Sequence, residues 1–331
     1  MTTATASRDQ LASVRSGQQK AWSAVFFALL ILTFGAVLTR ASLDAGMSAI
    51  SIAALRLLIA WAIVTPVVLL QHRPALMALQ RRHILLACLA GFWLAIHFTV
   101  LALALDRAKI IVVQTLINTI PLWAALLETT LLKTRLPRVV WLGLILTIIG
   151  SSVIAVLSMM NDSPALIMPP GALFADSNSA QNGTMGAILA IIGAITAATY
   201  MVIGRRIRVD IPIMPYIWVL FGSAALVGLI FVGISGTPLI GYDSKAYFWL
   251  FLLALGPQLI AHSCINYALA HVPATLVSLA SQFITITAPI AAYFAFMELP
   301  TRAEVIGSLI IASGVVIALA GQVRSWQKIR S

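Results

Sequence analysis

The chain has 331 residues, of which 61% are hydrophobic and 9% charged, and its mean hydropathy is +1.01. Soluble domains carry about 25% charged residues, so this composition excludes a water-soluble globular protein and indicates an integral membrane protein. The formal net charge of +11 does not indicate nucleic-acid binding, because the basic residues lie in short loops between apolar runs rather than in one patch.

Ten apolar runs, each near the length of about 20 residues that a membrane-spanning helix needs, follow one another along the chain. They predict an all-α integral membrane protein with ten transmembrane helices. Residues 1–21 are predicted as an N-terminal tail, 159–184 as an external, flexible linker, and 324–331 as a C-terminal tail. The predicted spans are 22–40, 47–70, 83–105, 109–132, 139–158, 185–204, 214–234, 246–269, 273–297 and 303–323.

The loops predict the orientation. Most of the 21 Lys and Arg residues fall on the side that holds the N-terminus, whereas the linker after the fifth span has none. By the positive-inside rule, both termini are predicted to be cytoplasmic.

The two halves of the chain, 22–158 and 185–323, show an internal sequence repeat. A shift of 164 residues carries Asn118 onto Gln282. The same shift carries two glycines of the fifth span, Gly143 and Gly150, onto two of the tenth. Because five spans per half is an odd number, the halves must be inverted, an arrangement that secondary transporters use. The glycines are interpreted as close-packing positions.

A polar stripe in the fourth span marks the candidate substrate pathway. Its members follow spacings of three and four residues, so they lie within about 80° of one another on a helix. A matching stripe in the ninth span indicates that both face a shared non-lipid environment. The alternative is a set of hydrogen bonds between helices. The predicted pathway residues are Gln114, Asn118, Pro121, Ser278, Gln282, Thr285 and Tyr293.

Three segments resemble those of a known family: "AALRLLIAWAIV" from Ala53, "MGAILAIIGAITAATYMVIGRRI" from Met185 and "YALAHVPATLVSLASQ" from Tyr267. The sequence resembles EamA-type members of the drug/metabolite transporter superfamily over about residues 22–323. The resemblance implies a secondary transporter of the plasma (inner) membrane that exports small metabolites or drugs in exchange for protons. Export of amino acids or related metabolites is the alternative.

Titratable groups inside the spans are candidates for proton coupling. His97 and His262 lie in the related third and eighth spans, and Glu128 lies near the end of the fourth. The histidines are alternatively structural, and Glu128 alternatively pairs with a loop arginine near the interface.

Arg56 lies well inside the second span, too far from either end to reach water by snorkelling. An arginine there costs about 2.5 to 3.5 kcal/mol on insertion scales, so a partner is expected. That partner is backbone carbonyls at a helix break, Glu128, or an anionic group of the substrate. Arg56 accordingly either ties helices together or binds substrate.

Other function classes lack their residues in this sequence. An intramembrane enzyme would show a convergent nucleophile and base or an HExxH metal set, and ATP-driven transport would show a GxxxxGK[ST] loop. Cys88 and Cys264 lie in apolar runs and are interpreted as packing residues. We therefore expect no enzymatic activity, no metal and no cofactor; a passive channel stays an alternative. The expected partners are a small-molecule substrate, protons and the lipid bilayer.

Overall fold

A computed structural model describes residues 2–107, 113, 116–161, 176–284, 287 and 302–328. The secondary-structure elements of these residues are helices, as expected where a bilayer leaves backbone groups no other partners. They are α1 (Thr2–Leu32), α2 (Gly35–Asp44), α3 (Ala49–Gln71), α4 (Arg73–Met77), α5 (Arg81–Arg107), α6 (Ile120–Leu131), α7 (Arg138–Asn161), α8 (Asp176–Arg208), α9 (Ile213–Ser235), α10 (Ser244–Leu253), a π-helical segment (Ala254–Ala261), α11 (His262–Ala268), α12 (Ala274–Ser281) and α13 (Arg302–Lys328).

Within the described residues, six stretches are long and apolar enough to cross a membrane. They are Ser16–Asp44, Ala49–Gln71, Arg81–Arg107, Met185–Arg208, Ile213–Ser235 and Ser244–Ala268. These match the predicted spans one, two, three, six, seven and eight. Shorter apolar helices, Ile120–Leu131, Arg138–Val153 and Val305–Ala318, occupy the positions of the fourth, fifth and tenth. The protein is therefore an all-helical multi-pass membrane protein, and much of the predicted ninth span lies outside the described residues.

Two helices extend beyond the predicted spans. The predicted N-terminal tail is helical, because α1 begins at Thr2 and continues into the first span. The segment before the span contains several Ala, Gln and Arg residues, which have good helix propensity, so a helix can extend into water there. At the other boundary, α8 begins at Asp176, so the end of the predicted linker belongs to the helix of the sixth span.

The fifth and tenth spans, α7 and α13, pack closely through the predicted glycines. A Cβ atom on Gly143 would lie 2.5 Å from Gly314 O, and one on Gly150 would lie 2.7 Å from Gly307 O. Gly307 is the repeat-equivalent of Gly143, and Gly314 is the repeat-equivalent of Gly150. Each glycine of α7 therefore contacts the repeat-equivalent of the other α7 glycine, which is the self-complementary pattern that a twofold axis produces. The order of the contacts makes the helices antiparallel, as inverted repeats require. The close-packing interpretation of these glycines is confirmed.

The remaining contacts follow the same pseudo-symmetry. The second and seventh spans, α3 and α9, pack on one another, and Ala54 meets Gly228 at that interface. The third span packs on the sixth through α5 and α8, and the first packs on the eighth through α1 and α11. The exchange of partners between the halves brings the second, third, sixth and eighth spans together in the core.

The eighth span departs from its repeat-equivalent. The third span is one continuous helix, α5, whereas the eighth runs from α10 through the π-helical segment to α11. Pro257 lies within that segment and has no backbone N–H to donate, which accounts for the widened turn. Such π-helical turns are often found at functional sites.

Candidate functional site

The fourth and ninth spans break at equivalent positions of the two repeats. Asn118 and Thr119 form a turn immediately before α6, and Gln282 and Phe283 form a turn immediately after α12. Pro121 follows the first turn closely and cannot donate a helical hydrogen bond from its nitrogen. Discontinuous helices at matching places in inverted repeats are a feature of transporter binding sites.

The two breaks meet. Gln282 Nε2 donates a hydrogen bond of 2.6 Å to Asn118 O. Because these residues are repeat-equivalent, their contact lies next to the pseudo-twofold axis. Gln282 is 2% exposed, and within the described residues its Oε1 has no hydrogen-bond partner. The breaks therefore bring together backbone groups and an amide oxygen that is free to accept a further hydrogen bond.

Glu128 joins the end of the fourth span to the start of the ninth. Its side chain is 0% exposed and accepts hydrogen bonds from Ala274 N at 2.7 Å, Thr275 N at 3.1 Å and Thr275 Oγ1 at 2.6 Å. These backbone N–H groups belong to the first turn of α12, which has no cap from its own N-cap residue, Pro273. A carboxylate at this place satisfies otherwise unpaired donors and complements the helix dipole.

Arg56 lies in a separate cluster between the second, third and eighth spans. It is 5% exposed, and its Nε donates a hydrogen bond of 3.0 Å to Gln258 Oε1 in the π-helical segment. Its guanidinium carbon lies 3.9 Å from the centre of the Phe98 ring, a cation–π distance. The described residues contain no ion pair of Arg56 with a carboxylate.

The two histidines border the same cluster. His97 Nδ1 lies 2.8 Å from Gly193 O, and because a carbonyl only accepts, this nitrogen carries the hydrogen. His262 packs edge-on against Phe98 at 5.1 Å, and its Nδ1 lies 3.4 Å from the hydroxyl of Tyr200. The ring centre of His97 lies 4.9 Å from that of Phe98 and 6.4 Å from that of Tyr200. The cluster therefore joins residues from four spans.

An apolar cleft of about 570 Å³ lies elsewhere, between α3, α4, α5 and α9. Trp61 and Trp218 pack together in its wall with ring centres 6.0 Å apart, and Trp218 Nε1 donates a hydrogen bond of 3.0 Å to Thr65 Oγ1. The cleft does not include Arg56 or the helix breaks. Its lining residues are Leu58, Trp61, Leu76, Ile84, Cys88, Trp218, Val219, Gly222, Ser223, Ala225, Leu226 and Leu229.

Comparison with known proteins identifies the family. The sequence profile of the EamA-like transporter family matches residues 19–156 and 184–320, once in each half. The chain belongs to the EamA-like transporter family. A crystal structure of another protein has the same fold, with a TM-score of 0.69 and 18% sequence identity over 92% of this chain and 98% of that chain. None of the curated proteins is significantly similar in sequence.

The predicted pathway residues of this EamA-like protein fall into three groups. Asn118 and Gln282 meet at the helix breaks, with Pro121 beside them. Ser278 is buried in α12 and donates its hydroxyl to Ala274 O and Thr275 O of its own helix. The pathway predictions Gln114, Thr285 and Tyr293 lie outside the described residues.

Two expectations about charged residues need correction. Among the described residues Glu128 forms no ion pair with a loop arginine, and its carboxylate accepts hydrogen bonds from the first turn of α12. Glu128 is also not the partner of Arg56, which binds Gln258 instead. Glu128 and Arg56, which were expected as a possible ion pair, therefore have different partners.

Sequence reasoning missed Gln258, Phe98 and Tyr200. A signal for Gln258 was present: "GPQ" from Gly256 interrupts an apolar span with a proline next to a buried amide. Pro- or Gly-interrupted spans are the sequence feature that best indicates an unwound helix at a binding site. Phe98 and Tyr200 carry no comparable signal, since aromatic residues are common throughout membrane spans.

Proposed function

We propose that this protein is a secondary active transporter that exports small metabolites or drugs by alternating access, driven by proton exchange. The observation that carries the proposal is the meeting of two repeat-equivalent helix breaks at Asn118 and Gln282. Two inverted halves can rock about such a point and expose it to each side in turn. Membership of the EamA-like family supports transport rather than catalysis.

Alternating access needs one end of the pathway closed while the other opens. The hydrogen bonds that Ala274 N and Thr275 N donate to the Glu128 carboxylate hold the fourth and ninth spans together at one end. The contact of Gly17 with the ring of His271 brings the N-terminal helix to the loop that precedes Ala274. In the proposed mechanism, Glu128 closes the cytoplasmic end in the state described and releases α12 when that end opens.

The proposed topology is ten transmembrane helices in two inverted five-helix repeats, placed in the plasma (inner) membrane with both termini cytoplasmic. The distribution of Lys and Arg supports it. Single cysteines at Gln80 and Ser177 test the orientation in intact cells. An impermeant thiol reagent should label the cysteine at Ser177 but not the one at Gln80, and the opposite result would reverse the topology.

Transport is tested in proteoliposomes with a panel of drugs, amino acids and other small metabolites. Movement of at least one compound, faster with an imposed pH gradient, is the expected result. Amino acids as the compounds moved would favour the alternative substrate class. Absence of transport for the whole panel would contradict the proposal, and gradient-independent diffusion would favour a passive channel.

Proton coupling has its own test. Glu128, His97 and His262 are the proposed coupling groups because they are titratable side chains within the described spans. Replacing all three with Gln should remove the response to the pH gradient, whereas substrate binding should persist. An unchanged response would assign coupling to another ion or another residue.

A further inference from the structure

The Arg56 cluster holds a buried cation whose hydrogen-bonding capacity is largely unused. A guanidinium has five N–H donors, and in the described residues Arg56 uses only Nε, toward the neutral amide oxygen of Gln258. The donors on its two terminal nitrogens have no partner there. Gln258 is 0% exposed, and its Nε2 also has no hydrogen-bond partner among the described residues. Two neighbouring side chains thus present unpaired donors in the core.

The charges in the cluster also indicate that Arg56 lacks a partner. Its described members are one arginine, two histidines, a tyrosine and a glutamine, with no carboxylate among them. Both oxygens of the buried Glu128 are engaged by the start of α12. A buried charge is costly unless it is paired, so the missing partner of Arg56 should be an anion.

The geometry selects the kind of anion. Phe98 covers one face of the guanidinium at 3.9 Å and leaves the in-plane donors available. Planar N–H donors of arginine match the two oxygens of a carboxylate in a bidentate pair. One guanidinium balances a single negative charge, which suits a carboxylate better than a dianionic phosphate. The Phe98 ring, which also packs against His262, supplies an apolar wall for the rest of the molecule.

We infer that Arg56 and Gln258 form a binding site for the carboxylate group of the substrate. The inference rests on the proposed transport function and narrows its substrate class to small organic carboxylates. Arg56 makes the bidentate contact, Gln258 Nε2 donates a further hydrogen bond, and Phe98 holds the guanidinium in place. Arg56 is positively charged and the described members of the cluster include no carboxylate, so a cationic compound is disfavoured.

Binding to the purified full-length protein tests the inference without requiring transport. The probes are acetate, benzoate and glutamate, with benzamide as the neutral counterpart of benzoate, and the readout is competition against radiolabelled benzoate in equilibrium dialysis. If benzoate itself shows no binding, thermal stabilisation by each of the three carboxylates replaces competition. At least one carboxylate should bind at least about tenfold more tightly than benzamide. No binding by any carboxylate, or equal binding of benzamide, would overturn the inference.

One variant separates a binding site from a structural tie. Gln258→Glu places a carboxylate 3.0 Å from Arg56 Nε, at the position of the present amide oxygen. If Arg56 awaits an anion, this internal carboxylate should weaken binding of the carboxylate at least about tenfold and leave the melting temperature equal or higher. Unchanged binding in Gln258→Glu would overturn the inference. Gln71→Glu, at the exposed end of α3, is the matched control and should bind as the unmodified protein does.

Arg56→Lys gives a second, milder test, because lysine keeps the charge but lacks the bidentate fork. Its binding should weaken several-fold, and binding equal to that of the unmodified protein would count against the bidentate contact. If the variants fail to fold, the comparison of carboxylate binding with benzamide binding by the unmodified protein still tests the inference. Transport of only neutral or cationic compounds, with no carboxylate binding, would leave the transport proposal standing and remove this inference. Carboxylate binding without transport of any compound would support this inference and contradict the transport proposal.

Discussion

Two buried charges in this EamA-like protein are treated differently by the fold. Glu128 accepts three hydrogen bonds, two from backbone N–H groups and one from a hydroxyl. Among the described residues, Arg56 donates one hydrogen bond, to the neutral amide of Gln258, and stacks on the Phe98 ring. The protein itself supplies the partners of the first charge, which indicates that Glu128 holds the fourth and ninth spans together in this state. It leaves the second incompletely paired, which is the condition expected of a group that meets a ligand. Removal of each charge should therefore have different consequences.

The largest expected effect on stability follows Glu128→Ala. The substitution leaves the donors of Ala274 and Thr275 buried without an acceptor, and we expect a loss of about 3 kcal/mol in the free energy of unfolding. Unfolding by denaturant in detergent measures it. Glu128→Gln, which keeps one acceptor oxygen, should lose less. A loss below about 1 kcal/mol for Glu128→Ala would mean that water or another group replaces the carboxylate.

Gln282→Leu tests whether the contact at the helix breaks belongs to the structure or to the transport pathway. Side-chain hydrogen bonds between membrane helices contribute about 0.6 kcal/mol on average, so stability should fall little. Transport should fall about tenfold, as the loss of about 1.4 kcal/mol of interaction with the substrate would give. Ser281→Ala is the control, since among the described residues the Ser281 hydroxyl donates its hydrogen bond within its own helix, to Val277 O. Normal transport by Gln282→Leu would remove this residue from the pathway.

Arg56→Ala should change stability less than Glu128→Ala does. The substitution loses the contact with Phe98 and leaves Gln258 unpaired, which costs about 1 to 3 kcal/mol. It also removes an insertion penalty of about 2.5 to 3.5 kcal/mol, so the protein should lose no more than about 0.5 kcal/mol of stability. The same denaturation experiment measures both residues. A loss as large as that of Glu128→Ala would make Arg56 a structural tie and end the contrast between the two charges.

The smallest expected effect is a pH dependence of stability at His271, in the loop between α11 and α12. Burial, and then the positive charges of Arg208 and Arg205, lower the pKa of this histidine below its usual value. The unfolded chain therefore binds a proton more readily than the folded protein. Stability should be fully present above the ordinary histidine pKa of about 6.5 and should decline as pH falls below it.

Melting temperatures between about pH 8 and pH 5 measure this dependence, the range that brackets histidine titration. His271→Asn should lessen the decline at acidic pH, because the group that titrates is gone. His72→Asn, in the loop between α3 and α4, controls for removal of a histidine elsewhere. Equal declines in the unmodified protein and in His271→Asn would assign the effect to other groups.

Local patterns in the sequence were sufficient for several features of the fold. The break before α6 interrupts the span predicted over 109–132, and its local signal is Pro121, which acts on its own helix. The contact of Gly143 with Gly314 and of Gly150 with Gly307 follows from small residues at matching positions of two repeats, because repetition predicts what meets across a pseudo-twofold axis. The polar stripe of the fourth span is likewise a property of one helix. Its prediction as a pathway still awaits the transport experiments.

The partners of buried side chains could not be predicted from local patterns or from the repeat. Arg56 and Gln258 are 202 residues apart, and Glu128 is 146 residues from Ala274. Neither pair is repeat-equivalent, so the internal symmetry gave no indication of them. The widened turn at Pro257 also breaks the symmetry, since the matching part of α5 is a continuous helix.

The sequence by itself determined that this chain is a helical membrane protein with two homologous halves, because hydropathy, charge placement and repetition act along the chain or between equivalent positions. Only the tertiary structure decided that Glu128 is bound by the start of the ninth span while Arg56 faces an amide and a ring. The reason is physical: the pairing of a buried charge depends on which donors and acceptors lie within about 3 Å of it. That depends on how non-consecutive helices pack, and pairwise packing leaves no periodic signal in any one of them.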